Sequence, residues 1–235
     1  MALALLAAPS GRGVAVAAAA VLLFLMRRPW QTAWASRDPA RASQARRVLV
    51  AIGLPGVVIG GAALMPVLQV CAIPLVVAAV GATLFAWFDG RQDAREALPE
   101  CAGAAVFASL AAVVVLASGR GHGVGELAMA VGGFAWARSL TSILPVRAYV
   151  RRRKGQRVNV VPALGVSIAF LAAGLLFCVT RTCEFPLVVL WLGVFAARTA
   201  WLLGPWRPDW PARRIGVLEM LLGLAAVVTT GLSLS

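Results

Sequence analysis

Four carboxylates recur at helical spacing within one polar segment of the chain, residues 88–100. They follow one another at intervals of four, three and four residues: Asp89, Asp93, Glu96 and Glu100. A helix would place all four on one face, where they repel each other unless a cation or a basic group lies among them. Asp89 and Asp93 form a DxxxD pair that can hold Mg²⁺ with a diphosphate, and we predict them as metal ligands. The alternative is a solvated turn whose acids pair with arginines of adjacent loops.

Arginines supply a second candidate chemistry, the binding of an anion. Arg138 falls well inside an apolar segment, where a charge costs about 2.5–3.5 kcal/mol on the insertion scale and should face protein or a water-filled cavity. A basic cluster that includes Arg147 and Arg151 follows it. We predict that Arg138, Arg147 and Arg151 bind the phosphate or carboxylate group of a substrate. The alternative is an orientation signal plus one paired arginine.

Three more ionisable residues lie in or near apolar segments: Glu126, Arg198 and Glu219. Glu219 could pair with Arg198, or Glu126 with Arg138, and the sequence does not choose between them. The four cysteines and the single histidine have no zinc-ligand spacing. No P-loop, catalytic triad or haem motif is present, so no catalytic residue is assigned.

The elements that position these residues are membrane-spanning helices. Of the 235 residues, 61% are hydrophobic and only 13% are charged, and the mean hydropathy is +0.87. This composition excludes a soluble domain and a disordered chain. The net charge of +13 does not indicate nucleic acid, because the arginines lie in short loops between apolar stretches, where they meet lipid headgroups. Membrane lipids are therefore the expected partners.

The apolar segments predict an all-α, polytopic transmembrane helix bundle of about eight helices. A single transmembrane domain covers residues 1–235, without a soluble domain. The predicted spans are 11–26, 47–63, 66–88, 99–118, 124–146, 159–180, 185–204 and 214–234. Pro66 separates the second span from the third. Residues 1–9 are apolar but too short to span, and we interpret them as the end of a helix whose first half is absent.

Basic residues alternate between the loops. One set of alternate loops carries 17 of the 22 basic residues, and the opposite set carries three. Under the positive-inside rule, the basic loops face the cytoplasm and both termini lie on the other side. The expected location is the inner (cytoplasmic) membrane of a bacterium, as a multi-pass protein.

Three stretches resemble the YwiC-like family of bacterial integral membrane proteins: FLMRRPW at 24–30, DAREALPECAGA at 93–104 and SLTSILPVRAYVRRRKG at 139–155. The resemblance covers nearly the whole chain and implies an N-terminally short member. The proline–glutamate–histidine–glycine segment that begins most members is missing, so roles of that glutamate and histidine do not carry over. The family has no settled activity, so the resemblance implies membership of a family but no reaction mechanism.

The first expected function is the binding of a lipid or another anionic amphiphile among the helices. The alternative is a UbiA-like membrane enzyme that acts on a prenyl or lipid diphosphate with Mg²⁺ held by Asp89 and Asp93. UbiA-type prenyltransferases carry two aspartate-rich motifs in separate loops, whereas this chain has one. A third function is that of a small secondary transporter, for which Pro66, Pro74 and Pro145 offer helix breaks. Whether the protein is an enzyme stays open.

Overall fold

A computed structural model describes residues 1–90, 97–119, 123–180 and 185–234. All regular secondary structure in these ranges is helical. The α-helices are α1 (Ala2–Ala7), α2 (Gly11–Leu25), α3 (Arg27–Ala35), α4 (Pro39–Leu64), α5 (Leu68–Gly90), α6 (Ala97–Ala117), α7 (Val124–Arg153), α8 (Val161–Thr180), α9 (Pro186–Leu203) and α10 (Ala212–Leu234). Seven helical segments are long and apolar enough to cross a membrane, and one of them, Pro39–Asp89, holds both α4 and α5. The chain is a multi-pass membrane protein, and the predicted all-α bundle is confirmed.

The 51-residue segment Pro39–Asp89 is more than twice as long as one membrane span of about 20 residues. Gly53 on α4 lies against the Met26 side chain, while Asp89 at the end of α5 binds the next residue, Arg27. A straight helix would separate positions 53 and 89 by about 54 Å, at about 1.5 Å per residue. Because both contact adjacent residues, the chain must reverse between them. The reversal lies at the 3₁₀ turn that contains Pro66, which leaves eight spans as predicted.

The loops that carry most of the basic residues gather at one end of the bundle, which we call the basic end. Arg27 and Asp89 join the start of α3, which directly follows α2, to the end of α5. Glu100 and Arg147 join the start of α6 to the last turns of α7. The hydroxyl of Tyr149 on α7 binds the backbone of the loop between α9 and α10. The predicted alternation of the loops is therefore present in the fold, whereas the assignment of this end to the cytoplasm stays a prediction.

Helix α6 forms the centre of the bundle, packed against α1, α2, α5 and α7. Val113, Val114 and Val115 on α6 are completely buried. Phe134 of α7 and Phe195 of α9 continue this core, with ring centroids 6.1 Å apart. By contrast, α4, α5 and α8 keep most of their apolar side chains on the outside. Apolar outer faces are what a lipid environment requires, because lipid offers no hydrophobic reason to bury them.

Two short helices lie outside the predicted spans. Residues 1–9 contain α1, whose Leu3, Ala4 and Ala7 are buried, and Leu6 packs closely on Gly231 near the end of α10. Residues 27–35, expected as part of a polar loop, form α3 instead. On α3, Trp30 and Trp34 stack with ring centroids 4.8 Å apart at the basic end, as in an interfacial aromatic belt.

Candidate intramembrane anion site

A buried ion pair connects α9 to α10, five residues before the end of α9 and seven residues after the start of α10. The Arg198 guanidinium contacts the Glu219 carboxylate, and the two side chains are 5% and 15% exposed. Arg198 also donates to the Thr141 carbonyl of α7 at 2.7 Å, and the Ser142 hydroxyl donates to Glu219 at 2.7 Å. Of the two pairings left open by the sequence, the first is therefore confirmed.

The second pairing is wrong. Glu126 and Arg138 both belong to the continuous helix α7, twelve residues apart. At about 1.5 Å per residue, their Cα atoms are separated by about 18 Å along the axis, which is too far for contact.

Arg138 projects from α7 towards α10, beside the buried ion pair. Its guanidinium lies directly against Gly223, and a methyl group at that position would overlap it. Its Nε is buried and has no hydrogen-bond partner among the described residues. Arg138 is also close enough to Arg198 to repel it electrostatically. Arg198 takes the single carboxylate of Glu219, so the cluster of two arginines and one carboxylate carries one excess positive charge.

Helical spacing explains how two helices present this cluster. Arg138 and Ser142 are one turn apart on α7, and Glu219 and Gly223 are one turn apart on α10. Ser142 meets Glu219 and Arg138 meets Gly223, so the two helices contact each other at successive levels.

Two more buried polar atoms of the cluster lack a hydrogen-bond partner among the described residues, Nε of Arg198 and Oε1 of Glu219. Most buried polar groups in folded proteins are satisfied. Three unsatisfied atoms in one cluster therefore mark a place that can accept polar atoms of a ligand. We call Arg138, Ser142, Arg198, Glu219 and Gly223 the intramembrane cluster.

The three predicted substrate-binding arginines do not converge. Arg147 and Arg151 lie nine and thirteen residues beyond Arg138 on the same helix, about 13 and 20 Å away along its axis. Arg147 forms an ion pair with Glu100 at 2.9 Å. Arg151 is exposed and forms no ion pair among the described residues. Of the three, only Arg138 belongs to the intramembrane cluster.

Two more arginines of the basic cluster, in the last turn of α7, contact the end of α9 and the loop that follows it. Arg152 donates to the Leu203 carbonyl at the end of α9, at 2.6 Å. Arg153 binds Asp209 at 3.2 Å. These contacts hold the loop between α9 and α10 against α7, so part of the cluster has a structural role.

Two side chains of α3 bind the carboxylate of Asp89. Arg27 binds both of its carboxylate oxygens, with Nη2 to Oδ1 at 2.6 Å, and Gln31 donates to Oδ2. The Arg27 guanidinium also lies over the Phe85 ring, 4.8 Å from its centroid. Asp89 in this arrangement does not fit the predicted Mg²⁺ site, because a guanidinium occupies the position that a cation would take.

The predicted partner, Asp93, lies outside the described residues, as does Glu96. Within the described ranges, no group of three or more His, Cys, Asp or Glu residues could hold a metal ion. Asp89 and Glu100 instead pair with Arg27 and Arg147. That is the behaviour expected of the alternative interpretation, in which the acids pair with basic residues of adjacent segments. The Mg²⁺ site itself stays a prediction.

Two residues of these contacts were missed by the sequence analysis. Gly223 could have been found as the residue one helical turn beyond Glu219, where a small side chain leaves room for a long one. Gln31 had no signal, because its contact with Asp89 depends on the packing of α3 against α5.

The fold and the cluster define a class, a helical multi-pass membrane protein with a charged group of side chains inside its bundle. No protein-family model, no curated protein and no solved structure matches the chain. The function must therefore be inferred from the chemistry of the chain itself.

Proposed function

We propose that this protein binds an anionic amphiphile between α7, α9 and α10, with Arg138 contacting the anionic group. One observation carries the proposal. The Arg138 guanidinium lies against α10 without a carboxylate partner among the described residues, because the adjacent carboxylate, Glu219, is taken by Arg198. Ionisable groups at this depth are expensive and usually serve a substrate pathway or a ligand. An anion beside Arg138 would neutralise the excess charge.

The surroundings of the intramembrane cluster favour an amphiphile over a small soluble anion. Met220 and Leu224, which follow Glu219 and Gly223 on α10, are 62% and 60% exposed on the outer face. A ligand whose anionic group reaches Arg138 can therefore extend its alkyl chain along an apolar surface. An amphiphile can keep its alkyl chain in the hydrocarbon of the membrane while its anionic group reaches Arg138, which a small inorganic anion cannot do.

We further propose that the protein belongs to the YwiC-like family and that its basic end faces the cytoplasm of a bacterial cell. The stretches at 24–30, 93–104 and 139–155 support the first statement, and the clustering of basic loops at one end supports the second. Orientation can be tested with cysteine accessibility at the exposed loop position Arg157, which should react only from the cytoplasmic side. Reaction only from the outside would reverse the topology.

The binding proposal is tested by native mass spectrometry of the protein released from nanodiscs. The ligands are anionic lipids and prenyl diphosphates, each with and without Mg²⁺. We expect the wild type to retain an anionic lipid without metal and Arg138→Gln to lose it. Arg157→Gln, which removes an equal charge from an exposed loop, is the matched control and should retain the lipid. Equal retention by the Arg138→Gln variant and the wild type would refute the proposal.

The same experiment separates the other predicted functions. Mg²⁺-dependent retention of a diphosphate, lost in Asp89→Ala, would favour the UbiA-like enzyme. The transporter prediction relied on broken helices, but α5 and α7 continue through Pro74 and Pro145, and of the three prolines only Pro66 lies at a break. Both functions stay predictions without a supporting contact among the described residues.

A further inference from the structure

Helix α4 carries a pair of arginines followed by a lipid-facing apolar stripe. Arg46 and Arg47 are exposed, and together with Ser43 and Val50 they line an open groove of about 470 Å³. Val50, Leu54 and Val57 continue from the groove along the outside of the helix and are 64%, 61% and 62% exposed. Because these positions differ by four and three residues, they lie on one face.

Helix α10 repeats this pattern at the same spacing, 167 positions later in the chain. Arg213, Arg214 and Val217 line a second open groove, of about 380 Å³. Leu221 and Leu224 continue it at the positions that correspond to Leu54 and Val57, and both are exposed. Two different helices therefore present the same order of two cations and three apolar side chains.

The dimensions of the pattern match half of a bilayer. From Arg46 to Val57 the helix rises by about 16 Å, at about 1.5 Å per residue. The hydrocarbon core of a bilayer is about 30 Å thick, so one leaflet contributes about half of that. Both helices start at the basic end of the bundle, which places both patterns in the same leaflet.

The arginines of the two pairs are available to a ligand. Among the described residues, none of the four forms an ion pair: Arg46, Arg47, Arg213 and Arg214. The Arg46 guanidinium lies over the Trp34 ring, 5.6 Å from its centroid. This cation–π contact reduces the freedom of the guanidinium and leaves its N–H donors for an anion.

We propose that each groove binds one anionic phospholipid of the leaflet at the basic end. The two guanidinium groups contact the phosphate, and an acyl chain lies along the apolar stripe. Charge complementarity selects an anionic headgroup, and the length of the stripe selects a two-part ligand rather than a free phosphate. The arginine pairs are distinct from the intramembrane cluster, and the two sites do not depend on the function proposed for Arg138; the α10 site shares only the outward-facing Leu224 with that proposal.

The test is a titration of detergent-solubilised protein with long-chain phosphatidylglycerol or phosphatidylcholine, followed by native mass spectrometry. The variants are Arg46→Gln/Arg47→Gln and Arg213→Gln/Arg214→Gln. The matched control is Lys154→Gln/Arg157→Gln, which removes the same charge from an exposed loop that lines neither groove. Thermal unfolding confirms that each variant is folded, and all six substitutions are at exposed positions.

Each basic residue near a membrane surface contributes about 1 kcal/mol, so loss of a pair should weaken one phosphatidylglycerol site roughly thirtyfold. We expect each double variant to lose one high-affinity phosphatidylglycerol, and a quadruple variant that combines the two double variants to lose two, with the control unchanged. Equal losses in the control would show a generic basic surface and overturn the proposal. Equal competition by glycerol phosphate would show a site for soluble phosphate and also overturn it.

Discussion

Replacement of Glu219 by glutamine removes the carboxylate that pairs with the buried Arg198, beside the half-buried Arg138. Arg198 then keeps its bond to the Thr141 carbonyl but loses its ion pair, and Arg138 lies close to it. Removal of one partner of a buried ion pair typically costs about 3–5 kcal/mol, because the remaining charge is left uncompensated. We therefore expect the free energy of unfolding to fall by about that amount.

Replacement of Arg198 by methionine should be far less damaging, although it breaks the same ion pair. Glu219 keeps the hydrogen bond from Ser142, and Arg138, one helical turn away at Gly223, can take the place of Arg198. The remaining cost is mainly the bond to Thr141, about 0.5–1.5 kcal/mol for a typical hydrogen bond. The difference in unfolding free energy between Glu219→Gln and Arg198→Met thus measures the effect of the net charge of the cluster.

The assay is equilibrium unfolding in mixed micelles, in which the denaturing detergent is increased and helix content is followed by circular dichroism. The double variant Arg198→Met/Glu219→Gln completes a double-mutant cycle. Because it returns the cluster to one excess positive charge, it should be more stable than Glu219→Gln alone. The reasoning would be refuted if Arg198→Met were as damaging as Glu219→Gln, or if the two effects were additive.

Three more predictions concern single contacts. Gly223→Ala should displace the Arg138 guanidinium and reduce anionic lipid retention in native mass spectrometry, whereas Gly193→Ala, with open space around it, should not. Asp89→Ala should lower the unfolding free energy by about 1.5–3 kcal/mol through loss of its charged hydrogen bonds. Mg²⁺ should not change the midpoint of thermal unfolding of the wild type. A Mg²⁺-induced rise of that midpoint, absent in Asp89→Ala, would contradict this expectation. Tyr149→Phe should speed proteolysis of the loop between α9 and α10, because the hydroxyl binds that loop at 2.7 and 2.8 Å; an unchanged cleavage rate would contradict it.

The number of spans and the grouping of the loops could be predicted from the sequence. A segment such as 66–88 has a single stable arrangement in a bilayer, because only a helix satisfies its backbone there. The reversal between α4 and α5 lies at Pro66, in an apolar run too long for one span; Pro74 and Pro145 leave their helices continuous, so the length of the run, together with the proline, predicts the break. The short helices α1 and α3 could not be predicted in this way, since their positions depend on what they pack against.

The same distinction holds for the charged residues: the sequence predicts the apolar segment in which each lies, but not its partner. The sequence by itself determined that Arg138, Arg198 and Glu219 must lie within apolar segments, because hydropathy is a property of each segment alone. Only the tertiary structure decided that Glu219 pairs with Arg198, that Arg138 lies against Gly223, and that Asp89 binds Arg27. Those contacts depend on the rotation of each helix about its axis and on its neighbours in the bundle. The rotation and the neighbours of each helix result from the packing of many side chains from several helices, and the sequence of a single segment does not contain that information.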